Sequence, residues 1–317
     1  MALFINYVRD ETRSTPLNLA AARMILASYL VWKTVWYDWP RLLATPFTVA
    51  DTYTFLVPAS PAVLVVEKWV LIGLLVLVLV GYRLGLTTFL SALLVGHLGA
   101  VRYTVNTSGG TTALFFSVYF LVLFGLYRDQ DVLTADVLWR ALRRRLTHDT
   151  AGERRSSPET AIPRSPAFEG ASYPMTALKY DLVVIAIVYF GGGVDKLLSG
   201  GLAWAGPANL SRIILVRNAL YSQPVPIGPS LLQYPVLVSA AAVGTLVLEL
   251  GLLVAVVARL PIGPFVVGVL GMQTVIAVAI GPFFFDVFVF FAMFLPWDTL
   301  YSRLGGPPPY RGSTSDA

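Results

Sequence analysis

The stretch "YFGGGVDKLLSGG" (189–201) sets an aspartate and a lysine directly after three glycines, which themselves follow the apolar run "LVVIAIV". Glycines remove side chains and let another helix or a flat molecule approach the backbone closely. A lysine at the edge of such a space carries an amine suited to general acid–base chemistry, which makes Lys196 the candidate proton acceptor of the chain. Asp195 precedes it, but successive helical residues do not face each other, so the two side chains are expected to diverge. Tyr189, Gly192 and Gly193 are candidate walls of the same space.

Few other ionisable residues interrupt apolar sequence, and each is costly there unless it faces a partner or a cavity. At 1.5 Å per helical residue, Arg23 lies about 9 Å and Glu249 about 13 Å from the inner ends of their segments. The matched depths predict an Arg23–Glu249 ion pair acting as a clamp. The same arithmetic puts Lys33 about 24 Å and His97 about 20 Å along their segments, at the outer level of Lys196. His97 therefore joins Lys196 as a candidate catalytic residue, and Lys33 and Asn106 join Tyr189, Gly192 and Gly193 as candidate cofactor-binding residues. Lys33 is better explained by snorkelling to the outer interface, and His97 equally well by a bond across a close helix contact beside Gly96 and Gly99. Glu67 and Lys68 are shallow enough to read as interfacial. With no cysteine and only His97 and His148, the chain lacks the ligands for a thiolate metal site or a disulfide, and no metal is expected.

These residues must be positioned by membrane helices. Of the 317 residues 56% are hydrophobic and 13% charged, about half the charge of an ordinary soluble domain, and the mean hydropathy is +0.70. Apolar runs of roughly 20 residues suit helices rather than the alternating segments of a barrel. The expected architecture is an all-α polytopic bundle of about eight spans: 17–37, 62–82, 84–103, 111–127, 177–198, 231–258, 262–280 and 283–301. Residues 1–127 then hold four spans, 128–176 a basic cytoplasmic loop, 177–304 four more spans, and 305–317 a cytoplasmic tail. Eight of the 23 basic residues lie in that loop, with "RRR" at 143–145, so membrane orientation accounts for the net charge of +5 better than nucleic-acid binding. The positive-inside rule places the loop and both termini in the cytoplasm of a cell-membrane protein, with Lys196 at the extracytoplasmic end of the fifth span. Arg83 and Arg259 fall on inner turns as that requires, whereas Arg41, Arg102, Arg212 and Arg217 fall outside.

"YFGGGVDKL" followed by "LSRIIL", Arg23 early in the first span, "LEL" with Glu249, and "AIGPFFFDVFVFFAMFLPWDTL" (279–300) occur in an order that resembles the horizontally transferred transmembrane (HTTM) family. Its members are relatives of the vitamin K-dependent gamma-glutamyl carboxylase, and the resemblance covers most of the membrane portion. It implies a cavity for a hydrophobic quinone- or quinol-type cofactor, with Lys196 as the base that deprotonates the quinol. Two positions depart from the family pattern. "YTVNTSGGTTALF" and "LGMQTV" lack the histidines that the family carries there, so the resemblance implies quinol binding or oxidation rather than complete glutamate carboxylation. The alternative is a noncatalytic small-solute permease or assembly factor that keeps the bundle without the chemistry. The lipid bilayer and a quinone-type small molecule are the expected partners, and the sequence names no protein partner.

Overall fold

The computed structural model describes residues 13–14, 16–37, 61–105, 112–131, 133–135, 173–174, 176–220, 227–281 and 284–304. The described residues are helical, with turns between, apart from one antiparallel pairing of two-residue strands, β1 (Arg13–Ser14) with β2 (Tyr173–Pro174). In chain order the helices are α1 (Pro16–Trp36), α2 (Pro61–Val80), α3 (Leu84–Val105), α4 (Thr112–Leu126), α5 (Thr176–Gly200), α6 (Pro207–Leu220), α7 (Gly228–Leu231), α8 (Pro235–Val257), α9 (Gly263–Ile280), α10 (Phe285–Ala292) and α11 (Trp297–Arg303). Single 3-10 turns lie at Arg128–Gln130 and Gly201–Ala205.

Five of these elements are long and apolar enough to cross a membrane: Pro61–Val80, Leu84–Arg102, Leu178–Ala205, Pro235–Val257 and Gly263–Ile280. They are compatible with a multi-pass integral membrane protein, and they account for five of the eight expected spans. The other three differ for physical reasons. Helix α1 has the length, but Asn18, Arg23, Lys33 and Thr34 make it polar. Helix α4 runs for only 15 described residues. The expected eighth span is broken after Ala292, because Pro296 lacks the N–H that a continuous helix needs and instead becomes the N-cap of α11. Conversely, α6 occupies sequence expected to be a loop. Most of the basic loop expected at 128–176 falls outside the described residues.

The chain divides into two compact units, one holding α1–α4 and α11 and the other holding α6–α9 with nearly all of α5 and α10. In the first, α2 buries Leu64, Glu67, Leu71, Leu75 and Val78, a stripe at three- and four-residue spacing. Its other faces expose Val63, Val66, Trp69 and Val70. A helix that is apolar all round yet covered on one stripe only is what a lipid environment allows. Helix α2 packs against α1, which buries Leu26 and Leu30, and against α3, which buries Val95 and Leu98, while α4, packed on α3, buries Phe120 and Phe124. Asn18 of α1 accepts a hydrogen bond from the backbone N–H of Asp298 at 3.0 Å and so holds α11.

In the second unit, α8 buries Val238, Ala242, Leu246, Glu249, Leu252 and Val256 in a similar stripe. Small residues let α9 approach α8 closely: a Cβ on Gly251 would lie 2.6 Å from the Phe265 ring, and one on Gly268 would lie 2.5 Å from Leu248. The turn between these helices holds Arg259 at φ 59°, and the α2–α3 turn holds Arg83 at φ 45°. Both arginines thus occupy the left-handed region that favours glycine. In each unit the buried stripe carries one carboxylate, and the partner of that carboxylate defines the local chemistry.

Candidate functional site

Lys196 lies near the C-terminal end of α5, and its side chain runs back toward the helix N-terminus, as helical geometry favours for long side chains. Its Nζ reaches Glu249 of α8 and donates to Oε1 and Oε2, each at 2.6 Å. The lysine side chain is 26% exposed and the glutamate 11%. The three glycines have three different surroundings. A Cβ on Gly192 would lie 3.8 Å from Lys196 Nζ and 4.0 Å from Glu249 Oε2, so the ion pair occupies the room above that residue. A Cβ on Gly193 would lie 2.8 Å from Leu250 Cδ2 and 3.3 Å from Glu249 Cβ, so this glycine sets the close approach of α8. Gly191 faces open space.

Aromatic and amide groups complete the cluster. The Trp204 ring, on the 3-10 turn after α5, has its centroid 5.4 Å from Lys196 Nζ, within cation–π range. Tyr189 precedes Lys196 by seven residues, two helical turns, and lies on nearly the same face of α5. Its hydroxyl accepts from Gln273 Nε2 of α9 at 3.1 Å and lies within reach of the Glu249 charge. The other end of that amide, Gln273 Oε1, is buried with no hydrogen-bond partner. A buried acceptor left unmade costs free energy, so it is a natural place for a donor on a ligand.

No known family, curated protein or solved structure matches this chain. The site is therefore read from its own geometry.

The expected Arg23–Glu249 pair would join residues of the two units, and within its own unit each has another partner. Arg23 Nε donates to Asp131 Oδ2 at 2.6 Å, while Glu249 holds Lys196. Depth counted from segment ends leaves out the direction in which a long side chain such as lysine reaches, about 6 Å from its own Cα. The interfacial reading of Glu67 and Lys68 also changes. Glu67 is buried and bonds His97 Nδ1 through Oε1 at 2.7 Å. Lys68 Nζ donates to the carbonyls of Val35 and Tyr37, capping the C-terminal end of α1. Lys33 is buried and donates to the Tyr29 hydroxyl at 2.6 Å.

Of the residues singled out from sequence, the structure gathers Lys196, Gly192, Gly193 and Tyr189 into one cluster. Lys33 and His97 belong to the other unit, and Asn106 lies outside the described residues. Asp195 is exposed, as the divergence from Lys196 predicts. Sequence reasoning missed Trp204 altogether, and it noted Gln273 only as the absence of a histidine. A lone buried glutamine in the polar-poor helix "GPFVVGVLGMQTVIAVAI" was the signal available for the second. Among the described residues, no group of three or more His, Asp or Glu side chains is placed to hold a metal ion.

Chemically the cluster is a shielded ammonium–carboxylate pair with an aromatic face on one side and an open hydrogen-bond acceptor nearby. Such a pair can exchange one proton with a hydroxyl group without a change in net charge. The His97–Glu67 contact is a second pair of an ionisable donor with a carboxylate.

Proposed function

We propose that this is an HTTM-type, carboxylase-like membrane protein that binds a quinol-type lipid at the Lys196–Glu249 pair. The observation that carries the reading is a part-buried salt bridge with the Trp204 ring near its ammonium, together with the Tyr189-bound Gln273 amide whose Oε1 is buried without a hydrogen-bond partner. A quinol offers a flat ring for the indole and a hydroxyl for the amide oxygen. Its second hydroxyl meets the ion pair. There the O–H bond breaks and the proton passes to Glu249, leaving a neutral carboxyl and a phenolate beside the Lys196 ammonium. The charge count is unchanged, one positive and one negative before and after, which limits the electrostatic cost in a medium of low dielectric constant. The pair thus accepts the proton as a unit, where the sequence alone assigned it to Lys196.

The test is mass spectrometry of the lipids that copurify with the protein. Wild type is expected to retain a quinone-type lipid that Lys196→Ala and Gln273→Leu both lose. Gln273→Leu leaves the salt bridge intact and so separates loss of the ligand from loss of the fold. Retention of the same lipids by both variants would overturn the reading. The alternative is a noncatalytic permease or assembly factor, in which the pair only clamps α5 to α8; what favours it is that both charges already satisfy each other. It predicts solute flux independent of quinone, or copurification of a protein partner.

We further place the basic stretch 128–176 and both termini on the cytoplasmic side of the cell membrane, on the positive-inside argument. The chain has no cysteine, so a single introduced thiol reports its own side unambiguously. Ser156→Cys is expected to react with an impermeant maleimide in inside-out vesicles and not in right-side-out ones. The reverse pattern would invert the topology.

A further inference from the structure

We propose that the 3-10 turn and α6 (Gly201–Leu220) form an in-plane anchor whose Arg212 and Arg217 hold the phosphate groups of anionic phospholipids. Helix α6 has 14 residues, about 21 Å of helix, which is too short to cross roughly 30 Å of hydrocarbon. One face packs on α8 and α9, and Ile214 is buried at 1% exposed. The opposite face is apolar and uncovered: Leu215 is 57% and Val216 48% exposed, and Leu202 on the preceding turn is 86% exposed. Arg212 stands between Leu215 and Val216 on that face, because residues three and four apart are neighbours on a helix. Arg217, one residue after Val216, is exposed on the adjoining side of the helix.

Exposed leucine and valine need a hydrocarbon surface, and the guanidinium groups among them need anions. A helix lying at the boundary between acyl chains and headgroups gives both. Charge selects the occupant. From Leu197 onward the sequence reads "LLSGGLAWAGPANLSRIILVRNAL", and no aspartate or glutamate occurs after Asp195 until Glu249, so Arg212 and Arg217 lack nearby acidic sequence. Guanidinium pairs with phosphate through two parallel hydrogen bonds, which suits a phosphodiester headgroup. The same placement explains why these two arginines depart from the cytoplasmic charge bias: they are membrane-surface residues of a helix, not part of a free loop. This inference is independent of any ligand at Lys196.

The experiment is native mass spectrometry of the full chain in detergent with phosphatidylglycerol and phosphatidylcholine of identical acyl chains. Wild type is expected to retain phosphatidylglycerol preferentially. Arg212→Gln/Arg217→Gln should reduce that preference roughly tenfold or more, given what each arginine contributes at an anionic surface. Arg212→Lys/Arg217→Lys should keep most of it, and Arg303→Gln, an exposed arginine on α11, should leave it unchanged. Both arginines of α6 are exposed, so the glutamine variant is expected to melt like wild type. Equal retention of the two lipids by wild type, or an unchanged preference in the double glutamine variant, would overturn the proposal.

Discussion

Arg23→Met is expected to cost about 3–5 kcal/mol, the range for removing one partner of a buried ion pair. The size follows from how fully the guanidinium is used. Arg23 is completely buried, and besides the bond from Nε to Asp131 it donates from Nη1 to the carbonyls of Val78 and Leu79. Its Nη2 donates to the carbonyl of Leu133 at 2.7 Å. Val78 and Leu79 belong to the last turn of α2, where carbonyls run out of helical partners, so one side chain of α1 caps α2 and pins the segment after α4. Methionine fills much of the volume but leaves the Asp131 carboxylate buried and several carbonyls unpaired. Arg23→Lys should recover only part of the loss, because an ammonium offers three donors from a point where the guanidinium spreads five across a plane. The measurement is thermal unfolding of the detergent-solubilised protein. Adding Asp131→Asn to Arg23→Met should restore about 1–2 kcal/mol by removing the orphaned charge. A melting temperature unmoved by Arg23→Met would mean that the network holds nothing together.

The periodicity of apolar residues made the helices legible, and proline and glycine marked most of their ends. Pro61 and Pro235 begin α2 and α8, where a missing N–H does no harm, and Gly81 and Gly281 follow α2 and α9 at positive φ. Helix α6 was not legible, because "PANLSRIILVRNAL" is neither apolar enough to read as a span nor strictly periodic. The break after Ala292 was hidden for the opposite reason. "DVFVFFAMFLPW" is so uniformly apolar that only Pro296 signals the interruption.

For the site, residue types were readable and partners were not. That a charge in a span requires a counter-charge correctly flagged Arg23, His97, Lys196 and Glu249. Which acid meets which base depends on helix stagger and on side-chain direction, neither of which a linear count of residues contains. Glu67 and Glu249 could each have been found by a different question: both sit in the buried stripe of an otherwise apolar helix, one position in a series spaced by three and four. A carboxylate inside such a stripe must face a neighbouring helix. Asking which basic side chain can reach back along its own helix to that level points Lys196 at Glu249.

Lys196→Met alone and Glu249→Leu alone are each expected to cost about 3 kcal/mol or more, whereas the double substitution should lie within about 1 kcal/mol of wild type. The single changes strand a charge between α5 and α8. The double change replaces two costly ions by apolar side chains of similar length, and buried pairs exchanged in this way are often neutral or stabilising. That recovery separates two roles for the pair. If the salt bridge serves only to join the helices, the double variant, once folded, behaves like wild type in every assay. If it exists to take a proton from a bound quinol, the double variant folds and yet no longer retains the quinone-type lipid, because neither the ammonium nor the carboxylate is present to meet the hydroxyl. Stability and lipid content must therefore be measured on the same preparations. A stable double variant that still carries the lipid would assign the pair to structure. A stable variant without it would mean that evolution kept two charges in the membrane at a cost in stability that only chemistry explains.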